Sequence, residues 1–325
     1  MSPFDPLFRN PHLATLAGNF WRRPISEDRW PAEAVVYQTE PTVRVLVRSQ
    51  KPSGRAKGAL VLVHGLEGSS ESGYARSMVH GALQRGWATH RFNMRGCGGT
   101  EDLTISGYHA GQTSDLLAVI RELRDAGVWP IFVVGYSLGG NVALKLTGEL
   151  GEAAQGLFAG VCAVSTPIDL AACVEALALP RNFIYENRFL NRLKARIRRR
   201  HLQAPEIYTL EHLPKIHSIA DFDDHYTARL FGFGTAANYF RTQSSNQFLE
   251  RIRVPTLLIQ AKDDPLIPFS TYHHPAFAQN PKLTLQTPDY GGHLGFLSRR
   301  KPRFWLDETL LEWMEGNISP PDHVS

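Results

Sequence analysis

Cysteine is scarce in this chain, with 3 among 325 residues. The three residues, Cys97, Cys162 and Cys173, are odd in number and have no regular spacing. A disulfide framework needs an even set at ordered spacings, so the sequence excludes that class of protein and favours a reducing compartment.

Long apolar runs are missing too. No uncharged apolar stretch approaches the roughly 18 residues that a membrane-spanning helix needs. The first residues, Met1-Ser2-Pro3-Phe4-Asp5-Pro6, have neither the basic nor the apolar segment of a signal peptide. Hydrophobic residues make up 43% of the chain and charged residues 20%, as in a globular protein with a sizeable core. We therefore expect a cytoplasmic protein.

The first half of the chain alternates between buried-strand and helical patterns. An Asn-capped helical turn at 9–15 and an alternating hairpin at 34–39 and 42–48 precede this alternation. Apolar strand runs lie at 59–63, 131–134 and 158–164, a further strand at 87–93, and helical stretches at about 72–84, 112–125 and 138–149. Repeated alternation of this kind predicts an α/β fold with a mostly parallel sheet and helices on both faces.

The alternation stops at Ser165-Thr166-Pro167 and resumes with a strand run at 254–261. The residues between are helical and irregular, without a buried-strand pattern. A short strand at 283–286 and a helix at 304–314 follow. We predict an α/β core formed by 1–165 and 251–325, with an N-terminal arm at 1–31 and an inserted helical cap at 166–250.

The motif Gly135-Tyr136-Ser137-Leu138-Gly139 lies between a strand run and a helical pattern. Gly-x-Ser-x-Gly in this context is typical of a nucleophile elbow, a turn so sharp that larger residues beside the serine would collide with neighbouring backbone. The N-terminus of the following helix would point its free N–H groups toward a developing oxyanion. The pattern predicts Ser137 as a nucleophile.

Two further residues follow strand ends in the order that a serine triad requires. In a parallel sheet, ligands bind at the carboxyl ends of the strands. Asp264 follows one such strand, and His293 follows the last one within a glycine-rich loop that suits a mobile, exposed imidazole. His293 would be the base and Asp264 would orient it. Asp263 is an alternative acid, and Asp169 a weaker one.

The end of the first central strand, His64-Gly65-Leu66, lies where a second oxyanion donor is expected. We predict that the backbone N–H groups of Leu66 and Leu138 form the oxyanion hole. His64 is interpreted as structural, with its ring bonded to loop backbone, and Cys97 as a small residue that fills its loop.

No metal or cofactor is expected. His273-His274 and Asp223-Asp224-His225 are clusters of potential ligands, but neither has the spacing of a known metal site.

Positive charge is concentrated in one segment, although the formal net charge is only +4. Residues 188–200 contain seven Lys or Arg and no acid, with Leu190, Leu193 and Ile197 spaced as on one helix face. This predicts an amphipathic basic helix. It would be either a solvated face of the cap or a contact with an anionic membrane surface or substrate. No nucleic-acid-binding signature accompanies the charge, so no nucleic-acid partner is expected.

Several motifs together resemble the bacterial YheT-like esterases of the α/β-hydrolase superfamily, a group related to abhydrolase-domain lipases. They span nearly the whole chain: 9–15 (RNPHLAT), 64–69 (HGLEGS), 95–99 (RGCGG), 108–115 (YHAGQTSD), 135–141 (GYSLGGN), 227–233 (TARLFGF) and 291–296 (GGHLGF). The resemblance implies an α/β-hydrolase fold, a triad of Ser137, Asp264 and His293, and hydrolysis of carboxylic esters.

The expected activity is that of a serine esterase that works through an acyl-enzyme on Ser137. Its substrate would be a small-molecule ester with an apolar acyl group. The cap aromatics suggest an apolar pocket wall, although aromatics in a helical cap more often form its own core; they are Phe183, Phe189, Phe231, Phe233, Tyr239 and Phe240. Alternatives are a thioesterase or acyltransferase with the same triad, and a catalytically silent hydrolase scaffold that binds a ligand. The sequence predicts neither the physiological substrate nor the oligomeric state.

Overall fold

A single eight-stranded sheet organises the protein. The computed structural model describes residues 3–23 and 27–318; the ends of the predicted arm and core at 1–2 and 319–325, and arm residues 24–26, lie outside them. The strands are β1 (Glu33–Glu40), β2 (Val43–Gln50), β3 (Ala59–Val63), β4 (Ala88–Phe92), β5 (Ile131–Tyr136), β6 (Gly160–Val164), β7 (Thr256–Ile259) and β8 (Leu283–Gln286).

The strand order across the sheet is β1-β2-β4-β3-β5-β6-β7-β8. The β1–β2 and β2–β4 pairs are antiparallel, and all pairs from β4 to β8 are parallel. The predicted hairpin and the mostly parallel sheet are therefore confirmed. The strands predicted at 87–93 and 158–164 were each too long by up to two residues.

Helices cover both faces of the sheet. They are α1 (Pro11–Phe20), α2 (Gly73–Gln84), α3 (Ser114–Asp125), α4 (Leu138–Leu150), α5 (Leu170–Leu177), α6 (Phe183–Gln203), α7 (Ile219–Phe222), α8 (Ala228–Leu230), α9 (Ala236–Gln243), α10 (Ala276–Gln279) and α11 (Trp305–Gly316). Residues of α2 and α11 pack with Leu60 and Leu62 of β3, whereas residues of α3 and α4 pack with Val61 and Val63. Successive side chains of a strand point to opposite faces, so β3 is apolar throughout because both of its faces are covered.

Helix α1 begins as the sequence predicted. The side chain of Asn10 accepts hydrogen bonds from the backbone N–H groups of His12 and Leu13, both at 3.0 Å, and Pro11 occupies the first helical position. The cap satisfies N–H groups that have no partner inside the helix, and proline costs nothing there because its missing N–H would be unpaired anyway.

The segment between β6 and β7 contains α5 to α9 and, within the described residues, no strand. It includes a π-helical turn at Asp223–Thr227. The apolar face of α6 (Leu190, Leu193 and Ile197) packs on residues that include Phe222 and Tyr226, so this segment has a core of its own.

The basic run is helical, as predicted, but it is not uniformly solvated. Arg196 and Arg200 are buried, and Arg199 pairs with Glu101 at 2.9 Å. Arg200 donates to the backbone oxygens of Glu101, Thr104 and Ser106. These guanidinium groups attach α6 to loops that follow the strands of the sheet. Only part of the helix is therefore a solvated face. Among the helices of the described residues, none is long and apolar enough to cross a membrane.

Candidate active site

Ser137 stands on a strained turn between β5 and α4, with a backbone φ of +51°. The neighbouring glycines permit the turn by close approach. A Cβ at position 135 would lie 2.4 Å from the carbonyl oxygen of Gly139, and a Cβ at position 139 would lie 2.3 Å from that of Val63. A positive φ is costly for a residue with a side chain and persists where the surrounding structure enforces it. The geometry is that of the predicted elbow.

The structure brings Ser137, His293 and Asp264 into one hydrogen-bonded line. Nε2 of His293 lies 3.0 Å from Oγ of Ser137, and Nδ1 lies 2.9 Å from Oδ2 of Asp264. Because a carboxylate accepts hydrogen bonds, the ring carries its proton on Nδ1 and leaves Nε2 free to accept from the serine hydroxyl. This arrangement allows Nε2 to take the hydroxyl proton as the oxygen attacks.

Asp264 is fixed by its own turn. Its Oδ1 accepts the backbone N–H groups of Leu266 at 2.9 Å and Ile267 at 3.2 Å, and its Oδ2 also accepts from the amide of Gln260 at 3.2 Å. The side chain has no exposed surface. A buried carboxylate held by several donors presents one oxygen to the imidazole in a single orientation.

The two alternative acids, Asp263 and Asp169, make other contacts. Asp263 accepts the backbone N–H of Gly292 at 2.8 Å, and burial raises the pKa of its carboxyl. Asp169 caps the N-terminus of α5 through the N–H of Ala172 at 3.1 Å. Among the three candidates, Asp264 is the acid that contacts His293.

The loop that carries His293 packs against α1. The backbone N–H of His293 donates to the hydroxyl of Thr15, which is in α1, at 2.9 Å. A Cβ at Gly295 would lie 2.2 Å from the carbonyl oxygen of Ala14. The side chain of His293 is only 10% exposed, so the expectation of an exposed imidazole was wrong. Gly295 lets the helix approach closely.

The predicted oxyanion donors lie on two segments that meet at the serine. A Cβ at Gly65 would lie 3.1 Å from Cβ of Ser137, which places the loop after β3 against the elbow. The N–H groups that flank Leu66 are occupied: Gly65 donates to the hydroxyl of Tyr74 at 2.9 Å, and Glu67 to that of Tyr108 at 3.0 Å. Within the described residues, the N–H groups of Leu66 and Leu138 have no hydrogen-bond partner, so both are free to donate.

The segment between β6 and β7 contacts this loop through α6. Arg196 donates to Oε1 of Glu67 at 2.5 Å, and the hydroxyl of Tyr108 donates to the same oxygen at 3.1 Å. Arg192 donates to the backbone oxygen of Glu67 at 3.0 Å. Glu67 itself has a φ of +53°. Two arginines of one helix therefore bind the residue next to Leu66.

A small pocket of about 100 Å³ extends from Ser137 and His293 beneath α6. Its lining is mostly apolar and includes Leu66, Leu138, Leu170, Val174, Leu177, Phe189, Phe222, Tyr239, Phe240 and Ile267. The prediction of an aromatic wall therefore holds for Phe189, Tyr239 and Phe240. It was wrong for Phe183, which is exposed, and for Phe231 and Phe233, whose rings contact His109.

A second, wider cleft of about 360 Å³ reaches Ser137 and His293 from the other side. One wall comes from α1, with Leu16 and Asn19, and another from α6, with Tyr185, Arg188 and Arg192. The glycine-rich loop after β3 lines it as well. The nucleophile thus lies between an apolar pocket and a more polar cleft.

Three titratable groups near the site have displaced pKa values. Burial lowers the pKa of His64 to about 4, so its ring is neutral, with Nδ1 donating to the oxygen of Gly65 at 2.8 Å and Nε2 accepting the N–H of Met94 at 3.1 Å. This is the structural role predicted for His64. Burial raises the pKa of Cys97 to about 12, which keeps it a thiol. Burial raises the pKa of Asp223, a pocket residue, to about 7.

Sequence reasoning missed Thr15, Glu67, Arg196 and Asp223. Glu67 directly follows the His64-Gly65-Leu66 segment that was predicted to hold an oxyanion donor, and Arg196 lies inside the basic run, so each was visible without its partner. Nothing in the spacing of the chain indicates that these two pair, because they are 129 residues apart. Over residues 3–23 and 27–318, no group of three or more His, Cys, Asp or Glu residues is placed to hold a metal ion.

Fold and site together define the class of protein. Residues 58–299 match the family model of the alpha/beta hydrolase fold, and the chain belongs to this family. Its relatives include proteins of the esterase and lipase type, which supports hydrolase activity for this chain.

The protein YheT of Escherichia coli (strain K12) is 34% identical over 313 residues, which are 94% of this chain and 91% of YheT. The phospholipase ABHD3 of Mus musculus is 31% identical, over 82% of this chain and 65% of its own length. Among solved structures, the esterase Pf2001 of Pyrococcus furiosus superimposes with a TM-score of 0.60 at 16% identity, over 92% of this chain and 99% of that protein. At that identity the likeness shows the fold alone.

Proposed function

We propose that this protein is a serine esterase that cleaves carboxylic esters through an acyl-enzyme on Ser137. The observation that carries the proposal is the line from Oγ of Ser137 through the ring of His293 to Asp264, with both hydrogen bonds at 3.0 Å or less. Such a line supports nucleophilic catalysis because a serine hydroxyl attacks only when a base accepts its proton. The relatives YheT and ABHD3 are named as an esterase and a phospholipase, and both names agree with ester chemistry.

In the first half of the reaction, Oγ of Ser137 attacks the ester carbonyl and Nε2 of His293 takes its proton. The carbonyl oxygen becomes an oxyanion, toward which the N–H groups of Leu66 and Leu138 donate. Asp264 stabilises the imidazolium without being protonated itself. The bond to the alcohol then breaks, His293 returns the proton to the alcohol oxygen, and the acyl group stays on the serine.

In the second half, water replaces the alcohol. His293 takes a proton from the water, whose oxygen attacks the acyl-enzyme, and the carboxylic acid leaves as the proton returns to Oγ. We place the acyl group in the apolar pocket and the alcohol in the wider cleft, since the pocket is the smaller and more apolar of the two. A small-molecule ester with an apolar acyl group fits this division.

The test is hydrolysis of p-nitrophenyl butyrate by the wild type, Ser137→Ala and Cys97→Ala. We expect Ser137→Ala to lose activity by about 10⁴-fold or more, as expected when a triad nucleophile is removed, whereas Cys97→Ala keeps it. A fluorophosphonate should add to the wild type and fail to add to Ser137→Ala, as read by intact mass. A fully active Ser137→Ala protein would refute the proposal.

The same acyl-enzyme could pass its acyl group to an acceptor other than water. Product analysis with an added alcohol or thiol separates an esterase, which gives free acid, from an acyltransferase, which gives the new ester or thioester.

A further inference from the structure

Helix α1 has an apolar face that the fold leaves uncovered. Leu13, Leu16 and Phe20 are spaced at i, i+3 and i+7, and these residues are 54%, 40% and 70% exposed. The opposite face of the helix, with Ala14 and Gly18, packs on the loop that carries His293. Exposed apolar residues grouped on one face mark interaction surfaces more often than isolated ones do.

A matching stripe on α6 faces the same cleft. Ile184, Arg188 and Arg192 follow at i, i+4 and i+8, and Ile184 is 74% exposed. The guanidinium of Arg188 lies 5.9 Å from the ring centre of Phe20. Next to them, the hydroxyl of Tyr185 is within 3.1 Å of Nδ1 of His12. The two helices are therefore neighbours, and the cleft between them leads to Ser137.

Arg188 and Arg192 make the opening of this cleft positively charged. Within the described residues, neither Arg188 nor Arg192 forms an ion pair with an acid. Two acids line the cleft, but both are already paired. Glu67 pairs with Arg196, and Glu71 pairs with arginines that do not line the cleft, Arg76 and Arg91.

We propose that these six residues, Leu13, Leu16, Phe20, Ile184, Arg188 and Arg192, form a docking surface for an anionic lipid membrane. We call them the mouth surface. Apolar side chains next to arginines on interfacial helices are the combination that anionic lipid headgroups and the adjoining acyl region attract. A bilayer seated there would cover the exposed side chains and pair the two arginines, with the cleft opening onto the lipid.

The mouth surface differs from the membrane contact that charge alone suggests, which would use the whole basic run at 188–200. Arg196, Arg199 and Arg200, in the second half of the basic run, already bind Glu67, Glu101 and loop carbonyls. Arg188 and Arg192, at the beginning of the run, line the cleft without an acidic partner among the described residues, and their apolar neighbours are Ile184 of α6 and residues of α1. A membrane contact would therefore use α1 together with the first turns of α6.

Vesicle co-sedimentation of the full chain tests the proposal. The probes are vesicles of phosphatidylcholine alone and of phosphatidylcholine mixed with phosphatidylglycerol in equal parts. We expect binding to the mixed vesicles that weakens with salt, and a loss of about fivefold for each of Arg188→Gln and Arg192→Gln. Phe20→Ser and Ile184→Ser should each weaken binding as well, because they remove the inserted apolar groups.

Matched controls lie on the same helix. Arg198→Gln removes an exposed arginine, and Leu202→Ser removes a leucine that is 84% exposed, both at the other end of α6. We expect both controls to bind as the wild type does. As a second readout, brominated lipids should quench Trp21, which follows Phe20, and Trp21→Phe should remove that quenching.

The outcomes separate the occupants. Wild-type protein that stays in the supernatant with mixed vesicles overturns the proposal, as do control variants that lose binding as much as the mouth variants. A dimer in analytical ultracentrifugation that Phe20→Ser dissociates, without lipid binding, would assign the surface to a second copy of the chain. Binding is measured without turnover, so failure of this proposal leaves the proposed esterase activity standing, and the reverse also holds.

Discussion

Replacing Glu67 by glutamine should destabilise the protein more than any exposed ion-pair substitution on α6. Glu67 and Arg196 have side chains that are 7% and 10% exposed, with 2.5 Å between Oε1 and Nη1. Burial acts to lower the pKa of Arg196, but the charge of Glu67, helped by Tyr108, holds that pKa above its ordinary value. Arginine does not deprotonate near neutral pH, so in Glu67→Gln the guanidinium stays charged and loses its counter-charge.

The cost follows from the burial of the pair. Removing one partner of a buried ion pair costs about 3–5 kcal/mol, because the remaining charge is left without water or a partner. At about 2 °C per kcal/mol for a chain of this size, the Tm should fall by about 6–10 °C. The matched control is Glu101→Gln. Its partner, Arg199, is 53% exposed, so that pair is worth less than about 1 kcal/mol.

Activity should fall as well, since Glu67 is adjacent to the N–H of Leu66. Loss of one oxyanion donor costs about 10²–10³ in kcat, and a loosened donor should cost about tenfold to a hundredfold. The assays are thermal unfolding and steady-state hydrolysis of p-nitrophenyl butyrate. The double variant Glu67→Leu/Arg196→Met should recover much of the lost stability. Equal Tm values for Glu67→Gln and Glu101→Gln would refute the reasoning.

Further predictions concern the triad, the pocket and the elbow. Asp264→Asn should lower kcat by about 10⁴-fold through the wrong imidazole tautomer, whereas steady-state rates of Asp263→Asn should stay within about tenfold of wild type. The pKa of Asp223 is about 7, so its carboxyl becomes charged as the pH rises through neutrality. The KM for p-nitrophenyl butyrate should therefore rise over that pH range in the wild type and stay flat in Asp223→Asn. A pocket of about 100 Å³ is smaller than the cavity of about 150 Å³ that binds benzene, so kcat/KM should be higher for the butyrate than for the octanoate. Gly139→Ala should fail to fold at 37 °C because its Cβ meets a carbonyl oxygen, while Gly156→Ala, with open space around it, should unfold like the wild type.

The parts of the fold that the sequence predicted are those with strong local patterns. Five of the eight strands are buried along their whole length, and an apolar run such as Ala59–Val63 is recognisable without knowledge of its neighbours. The proximity of Ser137, Asp264 and His293 also followed, because each residue comes after a strand and parallel strands end at one edge. Local sequence plus one topological rule was enough for these features.

The contacts between distant segments could not be predicted in this way. Thr15 and His293 are 278 residues apart, and their bond depends on how α1 packs against the loop. The glycines of that loop illustrate the difficulty. Glycine suits both a mobile exposed loop and a close helix contact, and the choice between them rests on the atoms opposite, which are residues of α1.

The basic run makes the same point about charge. Seven cations in 13 residues invite one interpretation for the whole helix, but a helix rotates by 100° per residue, so successive arginines meet different surroundings. Arg196 and Arg200 face the sheet domain and are buried there, whereas Arg188 and Arg192 face the cleft without an acidic partner among the described residues. The first pair fixes the segment that covers the pocket. The second pair has no acidic partner, although Arg192 donates to the backbone oxygen of Glu67, and it can bind an anionic ligand. Charge neutralisation at 196 should therefore act on stability, and at 188 on binding, although both substitutions change the net charge equally.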